Sequence, residues 1–158
     1  MDKAFCGTNM LATSHEQKTF ETLSTSFLSK HANNLKISAL NINSIQPKFG
    51  DILFALNNQL VDVLVICESK LDEKVDESLF QHPSYELYRR DRIGKGGGGI
   101  LVYAKKNLKS SKVVFDEISE IISFTITIAN KKIGVISCYR PLLTLQMKES
   151  SSIHSILN

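Results

Sequence analysis

The sequence predicts a strand-rich, mixed α/β fold, and two patterns carry that reading. Short runs of β-branched and other apolar residues recur between Leu35 and Cys138, and one early segment between two of them has helical periodicity instead. A third observation points toward function. Three of the apolar runs close on polar groups: Leu40-Asn41-Ile42-Asn43-Ser44, Ile66-Cys67-Glu68-Ser69-Lys70 and Cys138-Tyr139-Arg140-Pro141. Each delivers a side chain (Asn41, Glu68, Tyr139) to the end of a sheet, where an active site can assemble.

Residues 1–34 read as a polar, Ser/Thr-rich tail, ordered loosely or packed weakly. Within it Phe20, Leu23, Phe27 and Leu28 recur at near-helical spacing, a short amphipathic helix between Thr13 and Lys30. The pattern changes at Leu35, where Leu35–Leu40 alternates apolar and polar as a strand does. Pro47 suits a first helical turn, and Phe49, Ile52, Leu53, Leu56 and Leu60 mark one helix face. Val61–Cys67 is a β-branched run of the kind buried on both faces. Strand, helix, strand is a crossover unit that places the first two strands in one sheet without proving them neighbours. A charged loop follows from Lys70 to Pro83. Tyr85–Arg89 and Ile100–Ala104 form a hairpin around Gly94–Gly99, and further strands are expected at 112–115, 121–128 and 132–138, the last two joined at Asn130-Lys131. Residues 144–158 show no pattern and read as a C-terminal tail. The folded part is therefore 35–143, with its sheet edge unfinished.

With 158 residues, 42% hydrophobic and 22% charged, the chain is one domain or part of one and is not broadly disordered. No apolar stretch approaches the roughly 18 residues of a membrane span, so no membrane role is expected. Met1–Phe5 lacks a basic start leading into an apolar run, so no secretory leader is expected either. Cys6, Cys67 and Cys138 are odd in number and far apart, which indicates neither a zinc cage nor a disulfide framework. Cys67 and Cys138 read as small buried hydrophobes, and the compartment as intracellular. The net charge of +3 permits an anionic partner without demanding one.

Each candidate residue has an ordinary explanation beside a functional one. Glu68 ends an unbroken apolar run, where a carboxylate is costly to desolvate unless paired or metal-bound, and magnesium is typically held by one or two such groups plus waters. On position alone the stronger reading is a first loop residue paired with Lys70 or Lys74. Asn41 and Asn43 can orient a phosphate or a water, yet capping and turn formation explain them equally well. The glycine segment contains G-x-G-x-x-G but is followed by strands, not a helix, so it is a hairpin with closely packed backbone and not a dinucleotide site. Arg89, Arg90, Arg92 and Lys95, with Lys105, Lys106, Lys109 and Lys112, form either a phosphate-neutralising patch or a solvated face balanced by neighbouring acids. His15, His31, His82 and His154 have no partners suggesting a triad or metal spacing and are assigned no role.

The order of these segments carries more than any one of them. Leu-Asn-Ile-Asn-Ser-Ile (40–45), Val-Ile-Cys-Glu-Ser-Lys-Leu (65–71), Tyr-Arg-Arg-Asp-Arg (88–92) running into Gly-Gly-Gly-Gly-Ile-Leu-Val-Tyr (96–103), and Ile-Ser-Cys-Tyr-Arg-Pro (136–141) closely resemble the N-terminal half of the endonuclease/exonuclease/phosphatase superfamily. Within it they are most similar to the apurinic-type endonuclease domain of non-LTR retrotransposons. The resemblance implies the N-terminal half of a four-layer, DNase I-like α/β sandwich that hydrolyses phosphodiester bonds in DNA with Mg2+. It implies Glu68 as magnesium ligand, Asn41 at the active centre and Tyr139 positioning the scissile phosphate; the strand-end amide Asn43 and the basic residues Arg89, Arg90 and Arg92 are the residues expected on the nucleic acid by their own chemistry. The resemblance also makes the nucleus a compartment compatible with the chain.

The family's later Gly-Asp-x-Asn and Ser-Asp-His segments have no counterpart here. The resemblance therefore implies a truncated domain that is inactive alone, since acid–base help is worth roughly 10²–10⁴-fold. It further implies that the chain supplies essentially one of two facing sheets, leaving an uncovered face open to a partner or to aggregation. Two other readings remain: a non-catalytic module that binds nucleic acid or protein through the basic hairpin 88–112, and a superfamily phosphatase acting on a phospholipid or sugar phosphate.

Overall fold

The computed structural model describes residues 26, 28–92, 97–115 and 120–139. The expected N-terminal helix lies mostly outside these; Ser26 and Leu28–Lys30 are helical. Strand β1 (Ile37–Asn41) leads through a short 3-10 turn begun by Gln46-Pro47 into helix α1 (Phe49–Asn57), which returns the chain to β2 (Val63–Cys67). Strands β3 (Tyr85–Arg90) and β4 (Ile100–Lys105) form the expected hairpin. The first sheet has the order β1-β2-β4-β3, with β1 and β2 parallel neighbours.

β2 is the centre of this sheet, and its four residues Val63–Ile66 are buried. Leu64 and Ile66 point to the helix side with Leu101 and Tyr103 of β4, packing with Ile52 and Leu56 of α1. Val63 and Val65 point the other way with Ile100, Val102 and Ala104. Burial of such side chains is worth roughly 1.5–3 kcal/mol apiece. An unbroken apolar run therefore suits β2, because neither face meets water.

A second sheet covers that other face. Its strands β5 (Ser111–Phe115), β6 (Glu120–Ile128) and β7 (Lys131–Tyr139) are antiparallel in sequential order. Ile122, Phe124 and Ile126 alternate inward along β6 and complete the core beneath β2 and β4. The expectation that the chain supplies only one sheet is therefore corrected. It supplies strands of both, and the first sheet is covered on each face. Among the described residues this makes three layers: helix, sheet, sheet.

Bare apolar surface occurs elsewhere. Val114 and Ile136 both stand opposite Ser123 on the outer face of the second sheet, and Ile136 is 74% exposed. Cys138 lies on this outer face opposite Ile121 and is exposed, not buried as its apolar run suggested. The β6–β7 turn is centred one residue earlier than expected. Ala129 (φ 47°) and Asn130 (φ 64°) are its two left-handed residues, as a two-residue hairpin turn requires.

The end of the first sheet remote from Glu68 is tied by Asp62. Its carboxylate accepts the Lys36 backbone N–H at 2.7 Å and the Lys105 ammonium at 2.8 Å, with the Lys36 ammonium at 3.4 Å. One buried side chain thus joins the entries of β1 and β2 to the exit of β4. Burial pushes its pKa up, but the Lys105 bond, the Lys36 N–H and the two cations outweigh it, so the carboxyl sits below its usual range. A depressed carboxyl contributes stability that is present above the unfolded pKa, about 3.9, and is lost as pH falls through the folded value. Asp62→Ala should cost about 2–3 kcal/mol in urea unfolding at neutral pH. Acidification below about pH 4 should then destabilise the wild type more than the variant.

Candidate active site at the glycine end of the first sheet

The site forms where β1 and β2 end. Both strands are followed by residues in left-handed conformations: Asn43 (φ 48°) and Ser44 (φ 86°) after β1, and Glu68 (φ 56°) and Lys70 (φ 53°) around Ser69 after β2. Such conformations are uncommon for residues with a Cβ and cost of order 1–3 kcal/mol each. Here they are held by a backbone ladder beyond the sheet. Ile42 N–H donates to Cys67 O, Ser44 N–H to Glu68 O at 2.8 Å, and Ile45 N–H to Ser69 O at 3.0 Å. On the other side Ser69 N–H donates to Gly99 O and Lys70 N–H to Gly98 O at 2.8 Å. Glu68 is thus clamped between two loops.

Three of the residues singled out in the sequence meet there. The Tyr139 hydroxyl, arriving from β7 of the second sheet, donates to Glu68 Oε1. The Asn41 side chain lies close enough to the Glu68 carboxylate to help hold its pKa down, while its Oδ1 accepts the Asn43 N–H at 3.1 Å. The Lys70 ammonium donates to Asn43 Oδ1. The Tyr139 bond holds the Glu68 pKa below its usual range against a partial desolvation, with Asn41, Lys70 and Arg92 acting in the same direction. The same bond pushes the Tyr139 phenol up. At neutral pH Glu68 is therefore an anion beside a neutral phenol.

The glycines act by close approach. A Cβ on Gly99 (φ 84°) would lie 2.5 Å from the hydroxyl oxygen of buried Ser69, and one on Gly98 (φ 74°) would collide with the Arg92 guanidinium. The expected tightly packed hairpin backbone is found at Gly98 and Gly99. Residues 93–96 lie outside the described residues.

The arginines divide. Arg92 stays at the site, its Cζ 5.9 Å from the Tyr139 ring centroid and its Nε bonded to Glu120. Arg89 faces away. It pairs with Asp91, donates to Val75 O at 2.7 Å and to Asp72 O, and its side chain is 9% exposed. Arg90 donates to Asp91 O at 3.2 Å. The basic hairpin is also not one patch. Lys105 belongs to the Asp62 tie at the far end of β4, five residues or about 17 Å from Ile100. Two contributors escaped sequence reasoning: Ser69, which only the Gly99 contact reveals, and Glu120, a single acid opening β6 with no motif around it.

Comparison with known proteins gives the class by fold. No protein-family model matches the chain, and no curated sequence relative matches it. Among solved structures it is similar to an AP endonuclease from Archaeoglobus fulgidus, with 25% identity and a TM-score of 0.53 over 68% of this chain. It is also similar to the AP endonuclease LMAP from Leishmania major, at 16% identity and a TM-score of 0.53 over 66% of the chain. A third neighbour is the 3′ phosphatase NExo from Neisseria, solved bound to product DNA hairpin, at 20% identity and a TM-score of 0.50 over 66% of the chain. The chain spans only 41%, 40% and 41% of the lengths of these three structures. The fold is part of a DNase I-like α/β sandwich.

Gly99→Ala should lose roughly 2–5 kcal/mol, combining left-handed strain with overpacking against Ser69. Gly97→Ala, also at positive φ but with nothing within 4 Å of its Cβ, should lose about 1–2 kcal/mol. Paired denaturant curves read the difference.

Proposed function

We propose that this chain carries the first part of a magnesium-dependent phosphodiesterase centre for DNA, of the kind in non-LTR retrotransposon endonucleases, and that it does not hydrolyse DNA alone. The observation that carries this is the meeting of Asn41, Glu68 and Tyr139, at the ends of three different strands, around one carboxylate. The similarity to DNA-acting enzymes of the same fold supports the substrate class, and the order of sequence motifs supports the retrotransposon branch.

The donor set fits a hard divalent cation. Glu68 is ionised and partly exposed, and magnesium needs only one or two carboxylates because it keeps several waters. Among the described residues no group of three or more His, Cys, Asp or Glu side chains gathers, which disfavours a softer, fully protein-ligated ion. When bound, the ion supplies positive charge against the phosphoryl oxygens. The chain's own residues do the rest. Asn41 lies beside the Glu68 carboxylate, Tyr139 donates its hydroxyl proton to Glu68 Oε1 and so fixes that oxygen, and Lys70 with Asn43 borders the approach. Arg92, bonded to Glu120 and lying over the Tyr139 ring, serves Tyr139 and not a phosphate. Arg89, committed to Asp91 and two carbonyls, contributes stability and not a phosphate contact. Among the described residues none is assigned the role of general acid or base, which is why turnover is not expected.

Titration with Mg2+ followed by backbone amide shifts should move Asn41, Glu68 and Tyr139, and Glu68→Ala should abolish the response. Supercoiled plasmid should stay intact at background rates. Shifts confined to other residues would remove the metal assignment, and robust magnesium-dependent nicking abolished by Glu68→Ala would overturn the claim of incompetence.

A further inference from the structure

Resting on the reading of Glu68 as metal ligand and Tyr139 as its partner, we propose that Glu120 and Arg92 are positioning residues that set the Tyr139 ring and so hold the Tyr139–Glu68 contact in place. The contacts form a closed ring. Glu120 opens β6 directly opposite Tyr139 in β7, so both side chains leave the sheet on one face. One oxygen of Glu120 accepts the Gly99 N–H at 2.7 Å and the other accepts Arg92 Nε. The Arg92 guanidinium lies over the Tyr139 ring. The Tyr139 hydroxyl reaches Glu68, Ser69 N–H returns to Gly99 O at 3.2 Å, and the circuit closes.

Each link selects its residue type. Glu120 serves two donors with two oxygens, and an amide in its place has one acceptor and would set its NH2 against the other donor. Arg92 must donate through Nε while presenting a flat cation to the ring, which lysine cannot do. Gly98 leaves the space the guanidinium fills. The pair is largely shielded, with side-chain exposures of 23% for Arg92 and 10% for Glu120, and Arg92 Nη2 is buried without a partner among the described residues. Leaving a buried donor unpaired is costly. Its retention beside Tyr139 is accounted for if the guanidinium is held for its position over the ring.

The test uses the full chain with labelled tyrosine, at neutral pH. Tyr139 is assigned by Tyr139→Phe, and buried Tyr85 and Tyr103 serve as internal references. In Arg92→Lys, which keeps the charge, the Tyr139 ring resonance should move toward the position it takes in Glu68→Ala, while Tyr85 and Tyr103 stay. Glu120→Gln should do the same. If Glu120→Gln does not fold, Arg92→Lys decides. Mg2+ affinity should weaken about tenfold in both variants, as loss of an outer-shell partner typically does, and Arg92→Lys should add nothing in a Tyr139→Phe background. Folded variants whose Tyr139 resonance stays at the wild-type position overturn the inference. So does a tenfold loss that persists in Tyr139→Phe, since Arg92 would then act on Glu68 by charge. If the wild type binds no Mg2+, the proposed function fails, and the Tyr139 resonance alone judges the ring.

Discussion

Five apolar residues of β2 run between two carboxylates, and that bracketing fixes the register on which the site depends. Asp62 precedes Val63 and is neutralised by Lys36 and Lys105; Glu68 follows Cys67 and is met by Tyr139 and Asn41. Both faces of β2 are buried, so a one-residue slip would exchange one apolar residue for another on each face. By itself that would discriminate weakly. The slip would instead drag a carboxylate into a core built without partners for it, at a cost of several kcal/mol. Register is therefore set by the ends of the strand, and one of those ends is the site.

The conformations beyond the strand ends follow from the same geometry. Beyond Cys67 the chain leaves the strand while Ser69 and Lys70 stay bonded to Gly99 and Gly98. Glu68 turns into the left-handed region, and Asn43 and Ser44 turn with it, so that the two loops keep exchanging backbone hydrogen bonds. A single left-handed residue with a Cβ is disfavoured, but each bond in this ladder gains its partner only if the neighbouring turns are in place. Local strain is thus offset collectively. The carboxylate is fixed by the protein's own bonds before any ligand arrives, which lowers the cost of ordering it on binding.

Much of this was legible in the residues. Val61–Cys67 announced a doubly buried strand, Phe49–Leu60 a helix face, and the order of Asn41, Glu68 and Tyr139 a common rim, because strand ends are set by where apolar runs stop. Pairing between sheets was not legible. β5, β6 and β7 look alike whether they extend the first sheet or build another; the choice lies in the chain's redirection after β4, where Lys109 adopts φ 48°. Cys138 shows the same limit at the scale of one residue, since only the cross-strand register with Ile121 sends its thiol outward. The arginines misled for a related reason. Arg89 and Arg90 are consecutive residues of β3, so they face opposite ways and cannot form one patch.

Polar links between the two sheets are concentrated at the site. Tyr139–Glu68, Arg92–Glu120 and Gly99–Glu120 all join the first sheet to the second at the same end. Near the other end the second sheet meets apolar Leu108 in the shared core. Apolar contact between sheets tolerates sliding by an ångström or more, because it has no preferred direction. Hydrogen bonds do not. Placing the directional contacts around Glu68 makes the region of best-defined sheet-to-sheet alignment coincide with the carboxylate that needs it. The residues that order the candidate centre are then also those that align the sandwich, so Tyr139 and Glu120 contribute to stability and to site geometry through the same bonds.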